Sequence, residues 1–172
     1  MKTVYSAVLV LVTFFCGTAT TKEIPMNDLK IEIQEVLSSG SVTVRISNSS
    51  KDVIKLWEQS NSWGAACWRV LVIRMGRLET FYQNPDQRFT RNIPTSTGVA
   101  AGTHIELRFD LNGGNWCGFG HCASYEERGF GGKKVSFAPN DFVIVVYDVP
   151  RTDEATKLGV WYGVAATSTT VQ

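Results

Sequence analysis

The sequence predicts an all-β protein, an antiparallel sandwich of about eight strands that carries one long loop rich in glycine and aromatic residues. Three observations lead to this prediction. Apolar and polar side chains alternate along several short segments, as they do in strands with one buried face. Clusters of glycine, proline, asparagine and serine separate these segments at the spacing expected of an all-β domain. Residues 112–134 combine many glycines with four large aromatic side chains, a mixture that plain linkers lack.

Length and composition indicate one globular domain with a substantial core. The chain has 172 residues, of which 44% are hydrophobic and 19% are charged. Its 17 basic and 16 acidic side chains nearly cancel, and no run of like charge occurs. This balance argues against nucleic acid as a partner.

The N-terminus has the pattern of a secretory signal peptide. Lys2 precedes an apolar run at residues 7–15, and small residues follow it, so we expect cleavage after Ala19. The run is shorter than the roughly 20 residues that span a bilayer. The alternative is a buried N-terminal strand. The resulting division is a signal peptide at residues 1–19, a flexible lead at 20–28, one domain at 29–166 and a tail at 167–172, in a secreted protein without membrane insertion.

The strands follow from local patterns. Alternation is clearest at residues 104–111, where Ile105, Leu107, Phe109 and Leu111 share one face. Glycine-containing turns predict hairpins around residues 38–40 and 75–77. The other predicted strands lie at residues 29–34, 42–47, 53–57, 68–74, 78–82, 135–137, 142–147 and 160–166.

Four further segments do not show the alternation of a half-buried strand. Residues 58–67 and 83–102 show no sustained period and are predicted to be irregular, the second as a long crossover. Residues 142–147 (FVIVVY) are apolar without alternation, which predicts a central strand covered on both faces. Thr152 and the acidic residues after it predict one helical turn that ends near Lys157.

Export leaves three cysteines, because Cys16 departs with the signal peptide. Two of Cys67, Cys117 and Cys122 are expected to form a disulfide in an oxidising compartment, and the sequence does not choose the pair. The remaining thiol could link two copies of the chain, so a disulfide-linked dimer is a further alternative. The same export makes Asn48, in the sequon Asn-Ser-Ser, a candidate glycosylation site at an accessible hairpin tip.

Catalytic and metal patterns are weak. Cys117, His121 and Cys122 with Cys67 offer zinc ligands, but the spacing is not that of a zinc knuckle, so we expect no metal and no cofactor. A Cys-His nucleophile is a further alternative. A secreted hydrolase would use the loop carboxylate Glu126 with Asp110 or His121. Neighbouring charges that neutralise one another explain these residues equally well, so an enzyme is the less favoured reading.

The aromatic residues of the loop favour binding instead. Trp57 and Trp68 fit a core position, as large aromatics do under a sheet. The predicted contacts to a glycan or an extracellular protein are those of the long loop and of one neighbouring loop: Trp63, Trp116, Phe119, Tyr125 and Arg128. The alternative is that the aromatics pack beneath the loop, in a structural or inhibitory secreted domain.

The predicted arrangement of hairpins and one long crossover resembles an immunoglobulin-like β-sandwich over residues 29–166. The Cys-Trp-Cys pattern of antibody domains is not clear, because Cys67 directly precedes Trp68. The resemblance is one of architecture, and it implies no particular function.

Overall fold

A computed structural model describes residues 28–83, 93–113, 116–118 and 134–172. The chain is mostly β, and its paired strands are antiparallel, which confirms the predicted all-β class. Ten strands and two short helices occur in this part of the chain, against the eight or so strands expected. The strands are β1 (Leu29–Leu37), β2 (Ser41–Asn48), β3 (Ile54–Trp57), β4 (Trp68–Arg74), β5 (Arg77–Gln83), β6 (Ser96–Val99), β7 (His104–Asp110), β8 (Trp116–Cys117), β9 (Phe142–Val149) and β10 (Gly163–Thr170), and the helices are α1 (Ser62–Ala66) and α2 (Asp153–Leu158).

The strands form three sheets. One sheet has the order β1-β2-β7 and a second has the order β10-β9-β4-β5-β8, while β3 pairs with β6. A parallel bridge between Lys55 and Val160 connects β3 to the segment before β10. Buried side chains from the two larger sheets belong to a single core cluster. The core is therefore shared between the sheets, as packed layers require.

Both predicted hairpins are present. Gly40 closes the turn between β1 and β2 with a φ of 93°, a conformation that only glycine adopts readily. Between β4 and β5, Met75 and Gly76 both have positive φ, as in the type I′ turns that suit the twist of a hairpin.

Aromatic rings run through the core in an unbroken series. Trp161 stacks on Tyr147 at 5.8 Å between ring centroids, and Tyr147 stacks on Trp68 at 4.3 Å. Trp68 then contacts Phe109 at 4.9 Å, and Phe109 meets Trp116 edge-on at 5.4 Å. The predicted core position of Trp68 is thus confirmed, and so is that of Trp57, which is 5% exposed.

Several predicted boundaries are wrong. The supposedly irregular residues 58–67 contain α1, whose first turn is capped by the side chain of Asn61, and the long crossover contains β6. Residues 135–137 are not a strand, although the Phe137 N–H donates to Ser38 O. β10 continues to Thr170, so residues 167–170 belong to the sheet and not to a tail.

The helical turn after Pro150 is confirmed. The Thr152 hydroxyl accepts a hydrogen bond from the Ala155 N–H at 3.1 Å, and Asp153 and Glu154 occupy the first turn, where the helix dipole favours negative charge. Gly159 ends α2 in the left-handed region with a φ of 65°.

Candidate functional site

The base of the predicted binding loop is fastened by one side chain. The amide nitrogen of Asn112 donates to Ser39 O at 2.7 Å and to Val135 O at 2.9 Å, and its oxygen accepts from the Val135 N–H at 2.7 Å. These bonds tie both ends of the loop to each other and to the β1-β2 turn. The two anchors of the loop are therefore fixed by the fold.

The first part of the loop lies along the edge of the five-stranded sheet. Cys117 is disulfide-bonded and pairs with Tyr82 across β8 and β5. A Cβ added to Gly118 would come within 2.3 Å of the Phe81 ring, so only glycine allows the backbone to approach this side chain so closely. The partner of Cys117 lies outside the described residues.

The aromatic candidates that are described face the core. Trp116 and Trp63 are both partly buried. Trp116 contacts Phe109, and Trp63 lies 6.2 Å from Trp57 between ring centroids. Both belong to the hydrophobic residues packed against the core, so neither offers the open ring that a sugar platform needs. The sequence left open whether Trp116 faces a partner or packs beneath the loop, and its contact with Phe109 favours the second alternative. Phe119, Tyr125 and Arg128 lie outside the described residues.

The catalytic candidates do not come together in the described part of the chain. Asp110 is exposed at the end of β7, where its carboxylate accepts a hydrogen bond from the Asn112 N–H at 3.1 Å. This is a local turn contact of a kind common for aspartate. Glu126, His121 and Cys122 lie outside the described residues. Within the described ranges, no group of three or more His, Cys, Asp or Glu side chains is placed to hold a metal ion.

Among the described residues Cys67 is a free thiol, and its position argues against a disulfide-linked dimer through this residue. It is 4% exposed and donates to Trp63 O at 3.0 Å. Burial, followed by the negative charge of Asp148, raises the pKa of the Cys67 thiol to about 12. A protonated, enclosed thiol is neither a nucleophile nor a link between two copies.

Asn48 is buried, contrary to the expectation of an accessible glycosylation site. Its side chain is 2% exposed, and its amide nitrogen donates to Asp52 O at 2.7 Å and to Val99 O at 2.8 Å. Its oxygen accepts from the Ser50 N–H at 2.8 Å. Because a glycan would replace one of these amide hydrogens and needs open space, the folded protein does not accommodate one at Asn48.

A different surface stands out on the five-stranded sheet. Residues that are paired across antiparallel strands point to the same face, so the register places Ile73 beside both Phe142 and Leu78, and Leu71 beside Ile144. Arg69 lies between Val146 and Tyr82 in the next row. We call the apolar members of these rows the outer face: Leu71, Ile73, Leu78, Tyr82, Phe142, Ile144 and Val146.

Four of the seven residues of the outer face are exposed, and the other three are partly buried. Leu78 is 60% exposed and Tyr82 is 39% exposed, whereas residues that point to the opposite side of the sheet, such as Phe81 in β5, Val72 in β4 and Val143 in β9, lie in the core. Antiparallel sheets commonly turn polar side chains to water on their free face, so an apolar free face is unusual. Contiguous exposed apolar surface of this kind marks interaction sites on soluble proteins.

The pattern of β9 explains why the sequence missed this surface. FVIVVY predicts coverage on both faces, and β9 is indeed central, between β10 and β4. Only the side with Val143, Val145 and Tyr147 is fully buried, however, while Phe142 is 36% exposed. The prediction that both faces of β9 are covered is therefore wrong for this part of the chain. The uncovered apolar face of β9 is the feature that locates the candidate site.

Comparison with known proteins gave no match to a protein-family model, a curated protein or a solved structure. In the part of the chain that is described, no helix has the length and apolar character needed to cross a membrane. The function is therefore inferred from the geometry of the surface alone.

Proposed function

We propose that this protein is a secreted, non-enzymatic binding module that docks an extracellular protein on the outer face. The observation that carries this proposal is the row of adjacent Phe142, Ile73 and Leu78, three large apolar side chains in register and each at least 36% exposed. Keeping such a row in water is unfavourable by about 25 cal/mol per Å² of apolar surface. A partner that covers it removes this cost.

The chemistry of the surface favours a protein over a glycan. Sugar sites stack aromatic rings against sugar faces and surround them with hydrogen-bonding groups, whereas five of the seven side chains of the outer face are aliphatic. The nearby charges Arg69 and Asp148 are paired with each other at 3.0 Å. A mainly apolar centre with a polar margin is the arrangement found in the cores of protein interfaces.

The rest of the predicted architecture fits the same proposal. The N-terminal pattern supports secretion, with Thr20 as the first residue of the mature chain. Together the two larger sheets are consistent with a sandwich of the immunoglobulin-like kind. In the loop at residues 112–134, Cys117 pairs with Tyr82 at the margin of the outer face, and its disulfide restrains the loop there.

The test is a binding screen of the purified protein against arrays of extracellular proteins and of glycans. Leu78→Asp, which places a charge in the exposed row of Phe142, Ile73 and Leu78, should weaken binding to the protein found by at least about tenfold, or 1.4 kcal/mol. Val53→Asp is the matched control, because Val53 is 55% exposed and lies outside the outer face. Circular dichroism and urea unfolding confirm that both variants remain folded.

Two results would contradict the proposal. One is a bound protein whose affinity falls equally with Val53→Asp and Leu78→Asp, since the outer face would then have no special part in binding. The other is a glycan ligand whose affinity is unchanged by Leu78→Asp. That result would favour the loop at residues 112–134 as the binding site.

A further inference from the structure

β10 is an edge strand without the usual protection. It forms one border of the five-stranded sheet and pairs with β9 through eight consecutive residue pairs, without a register shift. Its sequence, GVAATSTT, contains no charged residue and no proline. The outward backbone groups of such a strand form a ready template for another strand.

The other borders of the larger sheets are protected. β1 carries Lys30, Glu32 and Glu35 and has an irregular register between Ile33 and Glu35. β7 carries charged or ionisable side chains at alternate positions from His104 to Asp110, and among the described residues β8 is short, with two residue pairs to β5. Charges, bulges and short length are the devices by which proteins prevent edge pairing, and β10 has none of them.

The outward backbone groups of β10 have no strand partner in the described ranges. β1 of the other large sheet approaches β10, but the two strands form no ladder. No backbone hydrogen bond joins β10 to any described segment other than β9. The exposed positions on one side of β10 are Val164, Ala166, Ser168 and Thr170.

We propose that β10 pairs with β10 of a second copy of this chain in an antiparallel, twofold-symmetric dimer. A twofold axis pairs a strand with itself, so that one surface satisfies the backbone groups of both copies. Because β10 has only small or hydroxyl side chains apart from one valine, no register brings like charges together. The two five-stranded sheets would become one continuous sheet of ten strands.

The dimer has a consequence for the outer face. Pairing through β10 with the axis perpendicular to the sheet places both outer faces on the same side of the joined sheet. The apolar side chains that define the outer face come from β4, β5 and β9, although Ala166 of β10 pairs with Val146 and lies on the same side of the sheet. Dimerisation is measured without any ligand. The dimer and the binding proposal therefore succeed or fail independently.

Sedimentation velocity on the purified protein over a range of concentrations is the first test. We expect the weight-average sedimentation coefficient to rise with concentration towards that of a dimer. Ala166→Lys adds the missing edge charge at an exposed position and should weaken dimerisation by at least about tenfold. Thr97→Lys, on an exposed residue of β6, is the matched control and should leave the dimer unchanged.

A cysteine scan supplies an independent test. Around a twofold axis perpendicular to the sheet, one residue of β10 stands opposite its own copy, with Cα atoms about 4.5–5.5 Å apart, which is within the range that a disulfide bridges. Single cysteines at successive positions of residues 164–170 should therefore show one sharp maximum of oxidised dimer. Cys67 does not interfere, because its thiol is buried.

Three results would overturn the inference. They are a wild-type protein that remains monomeric at its highest soluble concentration, equal dimerisation of Ala166→Lys and wild type, and a cysteine scan without a maximum. The first two results do not depend on the formation of an engineered disulfide. A urea unfolding curve for each variant checks that it is folded.

Discussion

Arg74 and Asp141 form the most enclosed ion pair in the described structure. The Arg74 Nε donates to Asp141 Oδ1 at 2.9 Å and its Nη2 donates to Oδ2 at 2.6 Å, while the Ala138 N–H donates to Oδ2 at 2.8 Å. The Asp141 side chain is 4% exposed. A two-pronged, charge-assisted contact of this kind holds the turn before β9 against the end of β4.

We predict that Asp141→Ala lowers the free energy of unfolding by about 3 kcal/mol, because Arg74 and the Ala138 N–H lose their acceptor. Urea unfolding measures the loss. Glu106→Ala is the control: the Arg45–Glu106 pair is open to water, with side chains 36% and 49% exposed, and should contribute less than about 1 kcal/mol. Equal losses in the two variants would show that enclosure of the pair has no effect.

The same pair predicts a pH dependence. The hydrogen bonds from Arg74, partly opposed by burial, lower the pKa of Asp141 below its ordinary value of 3.8. The charged carboxylate is thus favoured in the folded state, so its contribution to stability is complete above pH 3.8 and disappears as the pH falls through the lowered pKa. Asp141→Ala should therefore lose less stability than wild type over this acidic interval.

At the scale of single elements, the β4-β5 hairpin contains an unfavourable residue at its tip. Met75 has a φ of 49° and is 98% exposed, so neither its backbone conformation nor its contact with water favours methionine there. Asparagine tolerates this conformation far better. Met75→Asn should raise the free energy of unfolding by about 1 kcal/mol, measured from the urea midpoint.

Met75→Ala is the matched control, since alanine removes the apolar side chain but keeps the backbone cost of a Cβ at positive φ. If both variants shift the urea midpoint equally, the backbone conformation is not the cause. A stabilised Met75→Asn that also loses affinity in the binding screen would add the hairpin tip to the interface.

Elements with a clear period were predictable from the sequence, and those that depend on a partner were not. The alternation of β7 and the glycine turns before β2 and β5 gave the right strands, because side-chain period and turn chemistry are local properties. β6, with the sequence STGV, has no apolar period and exists through its pairing with β3. The five residues of α1 were too few to show a helical period.

The site was less predictable than the strands for the same reason. The glycine-rich sequence around Trp116 left its exposure and its burial both open, because its position depends on the distant Phe109 across the core. The outer face arises from the order of β9, β4 and β5 in the sheet, which the sequence does not state. The composition of the sequence was enough to point to a candidate loop. The exposed apolar surface could be recognised only from the register of three paired strands.

At the scale of the whole molecule, the reactivity of the Cys67 thiol depends on whether the core is folded. Its side chain belongs to the buried cluster to which both larger sheets contribute, and it directly precedes Trp68 in the middle of the series of aromatic rings. Raising the thiol pKa from 9.0 to about 12 lowers the reactive thiolate population at pH 8 by about a thousandfold. Burial adds a physical barrier to any reagent, so a reaction at Cys67 requires opening of the structure.

We therefore predict that a thiol reagent labels Cys67 only through global unfolding. The free energy of opening obtained from labelling, and its dependence on urea, should equal those of the unfolding transition followed by tryptophan fluorescence. A Thr97→Cys variant supplies an exposed thiol that should be labelled at once, and Cys67→Ala should abolish the slow reaction. Rapid labelling of Cys67 without urea would mean that α1 opens locally, and that the core around Trp68 is not a single cooperative unit.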